Sequence, residues 1–223
     1  MFWFDGLVVP GELAVRPPRQ ARTRASWERV LDAGVAILAE HGYGGLTIGA
    51  LCERARVTPP TIYARAANKE ALLLAVYDRA MQRVAQSDRL DPDDEIWREL
   101  PSRDVVRELV VGVVRIWTEG AAVLRPVVHR AAHDPEVWRR GTQLSVDLGR
   151  RFRAILLARP DVVAGAAAER RADACYRIVY AALVQRVMYG PQFESDVPLS
   201  DDELLGALVE MAERYLGIAE DSA

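Results

Sequence analysis

One stretch, Thr47 to Glu70 (TIGALCERARVTPPTIYARAANKE), restricts this chain more than any other, because it holds three helix starts separated by sharp reversals. Thr47 is a helix-capping residue type, and Ile48, Leu51, Cys52 and Ala55 recur at the three-and-four spacing of a buried helical face. That predicts a short helix ending near Arg54. Val57 then supplies an apolar plug and Thr58 a second cap. Pro59 suits the first position of a new helix, where a backbone N–H would have no partner anyway, and Pro60 is tolerated in the same turn. Asn68 caps a third helix, with Lys69 in its first turn and Ala71, Leu72, Ala75 and Val76 as its buried stripe.

Two short helices joined by a tight turn, in basic surroundings, form a helix-turn-helix pattern. In such a motif the second helix enters the major groove of double-stranded DNA and its N-terminal residues meet the base edges. Here these are Thr58, Pro59, Pro60, Thr61, Tyr63 and Arg65. Thr58 to Thr61 and Arg65 are expected to read bases, through hydroxyls, apolar contact with a thymine methyl and a guanidinium for guanine. Thr47, Tyr63 and Lys69 are expected to hold phosphate.

From about Arg24 to Tyr77 the chain resembles the DNA-binding domain of the tetracycline-repressor (TetR) family. The residues that carry the resemblance are the helix Val30 to His41 with Gly42-Tyr43, then Leu46-Thr47-Ile48, Leu51-Cys52, Ala55, Val57-Thr58, Thr61-Ile62-Tyr63 and Lys69-Glu70. The resemblance implies an all-helical homodimer whose variable C-terminal domain binds a small effector and releases DNA, the protein then most often acting as a repressor. Three residues depart from the family pattern: Arg56 where a glycine is common, Pro60 where a glycine or alanine is common, and Ala66 where a phenylalanine fills the core. Replacing an aromatic ring by Ala66 predicts a void unless a neighbour such as Tyr43 moves in.

The net charge of −3 does not announce a nucleic-acid partner, but its distribution does. Between Arg16 and Arg79 ten basic side chains face six acidic ones; the rest of the chain has nineteen against twenty-six. A basic head on an acidic body suits a protein that touches phosphate at one end. The two cysteines, Cys52 and Cys175, are far apart with no metal-ligand spacing, which fits buried small hydrophobes in a reducing compartment. No apolar run reaches membrane-spanning length and the start lacks a signal-peptide pattern, so the expected location is cytoplasmic.

Residues 1–22 have no usable period and carry Pro10, Pro17, Pro18, Arg16, Arg19 and Arg22, which reads as a disordered basic extension, either a solvated tail or a minor-groove arm. Residues 23–86 form the expected DNA-binding domain: Ser26 caps its first helix and Gly42 ends it. The polar, proline-broken run Asp88 to Asp94 is the expected boundary. Residues 95–219 form an all-helical C-terminal domain for effector binding and dimerisation. Its expected helices run from Ser102 to Gly120, from Ala121 to His133 with a kink at Pro126, from Pro135 to Pro160, from Ala167 to Tyr189 and from Ser200 to Gly217. The last two, by the resemblance, pair with their copies in the homodimer. Trp117, His129, His133, Trp138, Phe152, Tyr176 and Tyr180 fall on helices that should face one another, and suggest a pocket for an apolar or aromatic effector. His129 and His133 alone are weak support for a metal, and no nucleophile elbow, phosphate loop or dinucleotide fingerprint is present, so no cofactor or catalysis is expected. The competing readings are a helical carrier or enzyme that has lost DNA binding, and an interaction module using the apolar stripe of the last two helices.

Overall fold

The computed structural model describes residues 21–86 and 88–218, with side chains from Arg24 onward; residues 1–20 of the basic extension lie outside them, and its last two, Ala21 and Arg22, open a helix instead of continuing the expected disordered tail. Nine helices form among the described residues: α1 (Ala21–Gly45), α2 (Ile48–Ala55), α3 (Pro59–Tyr63), α4 (Lys69–Ala85), α5 (Ile96–Glu99), α6 (Ser102–Ala131), α7 (Pro135–Leu157), α8 (Ala168–Tyr189) and α9 (Asp201–Leu216). The all-α expectation is met. The chain divides into two compact units, residues 1–81 and 82–223, so the division falls within α4.

In the first unit, α1 buries Trp27, Val30, Ala33, Ile37 and Leu38. Gly34 lets α4 approach closely, since a Cβ there would lie 2.5 Å from Val76 Cγ2. Arg79 ties α4 back to α1 through Asp32 at 2.8 Å and Glu28 at 3.0 Å. Helical geometry fails at Gly42 (φ 62, ψ −167), a conformation that suits glycine, where the pattern predicts the end of the first helix. The expected cap at Ser26 is not formed: the helix already runs from Ala21, and the Ser26 hydroxyl accepts from Arg29 at 3.2 Å.

In the second unit, α6 packs against α7, α8 and α9. It is one helix of 30 residues rather than the two expected. Gly120 is a packing residue and not a stop: a Cβ there would meet Leu124 Cδ1 at 2.9 Å and Val84 Cγ2 at 3.1 Å. The helix also continues through Pro126. The run read as a boundary is folded into this unit. Leu90 is buried against Gly112, Arg151 pairs with Asp88 and donates to the Leu90 carbonyl at 3.1 Å, and Arg159 donates to the carbonyls of Trp97 (2.6 Å) and Leu100 (2.8 Å).

Helices α7 and α9 begin on side-chain caps. Asp134 accepts from the N–H groups of Glu136 and Val137, and Ser200 forms a reciprocal capping box with Glu203. Glu136 is held by Arg139 and Arg140, both at 2.7 Å, which depress its carboxyl to about 2. A carboxyl depressed on folding adds stability above its unfolded value and loses it as pH falls through its folded one. Because Glu136 is partly solvated, Glu136→Gln is expected to cost only about 1 kcal/mol at neutral pH in urea unfolding. That difference should fade between about pH 4.5 and 2.

Candidate nucleic-acid interface

Thr47 sits in extended backbone, and its Oγ1 accepts from the Ala50 N–H at 3.2 Å, opening α2 as the pattern predicts. The hydroxyl keeps its proton for another acceptor. Leu51 and Ala55 are buried beneath. The helix closes on Arg56, whose backbone is left-handed (φ 53, ψ 53); the Arg56 N–H reaches the Glu53 carbonyl at 3.3 Å and the Val57 N–H reaches that of Cys52 at 3.1 Å. This paired closure reverses the chain and satisfies carbonyls that the helix end would otherwise orphan.

Thr58 has the backbone of a cap but makes no side-chain capping bond. The reason is chemical. Pro59 and Pro60 have no N–H to give, and the Thr61 N–H bonds the Thr58 carbonyl at 2.9 Å. The Thr58 hydroxyl instead meets the Thr61 hydroxyl at 3.2 Å, which sets two hydroxyls side by side at the start of α3. Ile62 fixes α3 to the core, while Tyr63 is 55% exposed. Ala66 is buried, and the Asn68 carboxamide accepts from the Ala71 N–H at 2.8 Å to open α4 at Lys69. Of the sequence-derived contacts, Thr47, Thr58, Pro59, Pro60, Tyr63 and Lys69 are exposed, and Thr61 and Arg65 are half-buried.

Some cations of this unit are already engaged. Arg54 forms a two-pronged pair with Glu40, both contacts 2.5 Å, and this hydrogen bonding holds the Glu40 carboxyl below its usual range. Arg29 donates to the Ala55 and Ala25 carbonyls and to Ser26. Cys52 is half-buried on α2, whereas Cys175 is fully buried on α8 and desolvation pushes its thiol up to about 12. Alkylation of the native protein, read by mass, is therefore expected to modify Cys52 and spare Cys175 until the chain unfolds.

The residues expected around an effector separate into two groups. Trp117, Phe152, Tyr176 and Tyr180 come together: Trp117 meets Tyr180 edge-on at 5.1 Å, and Tyr176 lies 5.6 Å from both Phe152 and Tyr180. Tyr176 donates to the Ser145 carbonyl at 2.7 Å. Tyr180 lies 2.5 Å from the Ser145 hydroxyl, which itself donates to Gly141. Burial pushes both phenols above their ordinary range. His129, His133 and Trp138 are not brought into this cluster's interior; all three are exposed, Trp138 by 62%, and the two imidazoles face each other at 6.0 Å. Spacing alone could not reveal this, because α6 and α7 each have more apolar residues than one face buries. No group of three metal-ligating side chains occurs among the described residues.

A capped helix-turn-helix followed by a separate helical unit defines a two-domain helix-turn-helix protein. Residues 30–76 match the family model for bacterial regulatory proteins, tetR family. Over these residues the first unit is similar to that family's DNA-binding domain. It is similar to the HTH-type transcriptional repressor SCO4008 of Streptomyces coelicolor, with 34% identity over 82 residues, 37% of this chain and 40% of that protein. It is also similar to the A-factor receptor protein of Streptomyces griseus, with 33% identity over 60 residues, 27% of this chain and 22% of that protein. The similarity thus spans less than half the length of these curated relatives. Solved structures resemble more of it. Salmonella enterica GusR covers 86% of this chain and 96% of its own with a TM-score of 0.63 at 17% identity. A TetR family transcriptional regulator from Pseudomonas syringae covers 86% and 95% with a TM-score of 0.59 at 21% identity. At these identities the likeness establishes the fold.

Proposed function

We propose that this protein is a DNA-binding transcriptional regulator, acting as a repressor that a small molecule releases from its operator. The observation that carries the reading is the start of α3, where two prolines leave the Thr58 hydroxyl without a capping donor and it pairs with the Thr61 hydroxyl, beside an exposed Tyr63. Thr58, Pro59, Pro60, Thr61 and Arg65 would read bases, and Thr47, Tyr63 and Lys69 would hold phosphate on either side. The protein would work in the cytoplasm as a homodimer. The exposed apolar residues Ile178 on α8 and Tyr215 on α9 support pairing of these helices with their copies. Two-fold symmetry would then set two reading helices one DNA turn apart, about 34 Å, on a near-palindromic site.

The second unit would take an apolar or aromatic effector at the aromatic cluster of Trp117, Phe152, Tyr176 and Tyr180, with His129, His133 and Trp138 as outer members. The ligand must favour the state that does not bind DNA, and a hundredfold preference corresponds to about 2.7 kcal/mol of coupling. The test is selection from random duplexes at near-physiological salt, followed by affinity measurement against a scrambled duplex. An enriched near-palindrome bound about a thousandfold more tightly than the control is expected. Weak binding that ignores sequence, with and without candidate effectors, would favour a carrier or enzyme on the same fold.

A further inference from the structure

We propose that Arg56, in the turn between α2 and α3, is an additional phosphate-contacting residue kept at the expense of backbone strain. The inference rests on the DNA-binding reading above and names a contact outside its expected set. Arg56 is the only non-glycine residue with positive φ among the described residues. A side chain there crowds the following carbonyl, which is why glycine, or asparagine, ordinarily closes a helix in this way. Nothing in the local fold repays that crowding. The Arg56 side chain is exposed, and among the described residues it makes no hydrogen bond or ion pair, whereas its neighbour Arg54 is clamped by Glu40. The turn needs only the backbone of residue 56, which closes α2 through its own N–H and that of Val57. Strain that the local structure does not use is characteristic of functional positions. Two residues before Thr58, at the mouth of the reading helix, the function that fits an unneutralised guanidinium is a phosphate of the bound duplex, which it can engage through two parallel N–H bonds.

The test compares full-length wild type with Arg56→Gly, Arg56→Asn and Arg56→Lys. Probes are a duplex selected by the wild type from a random pool and a scrambled duplex of the same length, each titrated over a range of salt. Glycine and asparagine relieve the strain and remove the charge. They should raise Tm by about 2–4 °C while weakening binding about tenfold on both duplexes. The slope of log affinity against log salt should also become shallower by about 0.9 per protomer. Lysine keeps charge and strain, so both its Tm and its salt slope should stay near wild type. A higher Tm with unchanged affinity and slope in the glycine variant would overturn the proposal and leave the DNA-binding reading standing. Equal, sequence-blind binding of both duplexes by the wild type, with the slope still reduced by glycine, would keep the phosphate contact and end the operator reading. Binding of neither duplex would overturn both.

Discussion

Asp88→Ala is expected to destabilise the second unit by about 3 kcal/mol, the cost typical of leaving one member of a mostly buried ion pair alone. Asp88 meets Arg151, and the two side chains are only 12% and 16% exposed. Arg151 also donates to the Leu90 carbonyl, so the pair fastens the segment after α4 onto α7 and seats Leu90 against Gly112 of α6. Without the carboxylate, a guanidinium stays in a poorly solvated place deprived of this counter-charge. Arg151→Met removes that charge, and the double variant should therefore be more stable than Asp88→Ala alone. Urea unfolding of the wild type, both single variants and the double variant reads the coupling. A loss under about 1 kcal/mol with simply additive effects would mean that the pair does not hold the segment.

Joint replacement Tyr63→Phe and Lys69→Gln is expected to weaken binding to the selected duplex about a hundredfold at physiological salt, or about 2.7 kcal/mol. Both side chains are exposed, at the end of α3 and the start of α4, and neither supports the core. The fold should therefore survive, which an unchanged Tm would confirm. The single variants separate the two contributions. Lys69→Gln removes a charge and should reduce the salt slope by about one per protomer, whereas Tyr63→Phe removes a neutral hydroxyl and should weaken binding with the slope unchanged. Fluorescence anisotropy across a salt series measures both. Retention of wild-type affinity by the double variant would remove these residues from the interface.

The features legible from sequence are those decided by a few adjacent residues. Thr47 and Asn68 open their helices through side-chain bonds to N–H groups three residues on. Gly42 breaks α1 through its own positive φ, and the three-and-four spacing marks Leu51, Ala55, Leu72 and Val76 as core. Such signals act over one helical turn, so no distant partner is needed to read them. Even at this range chemistry can intervene: Thr58 carries the sequence signature of a cap, yet two consecutive prolines leave its hydroxyl without the usual donor.

Tertiary structure decided the rest, because burial and close approach depend on which element arrives opposite a residue. Gly120 reads as a helix stop, but the proximity of Leu124 and Val84 makes it a packing position inside a continuous α6. Residues 88–94 read as a polar linker, but Arg151 of α7 holds them in the second unit. Trp117, Phe152, Tyr176 and Tyr180 share an interior, while Trp138, His129 and His133 share their periodicity and remain at the surface. Periodicity identifies which residues can lie on one face of a helix; only the packed neighbours determine which of those faces is covered.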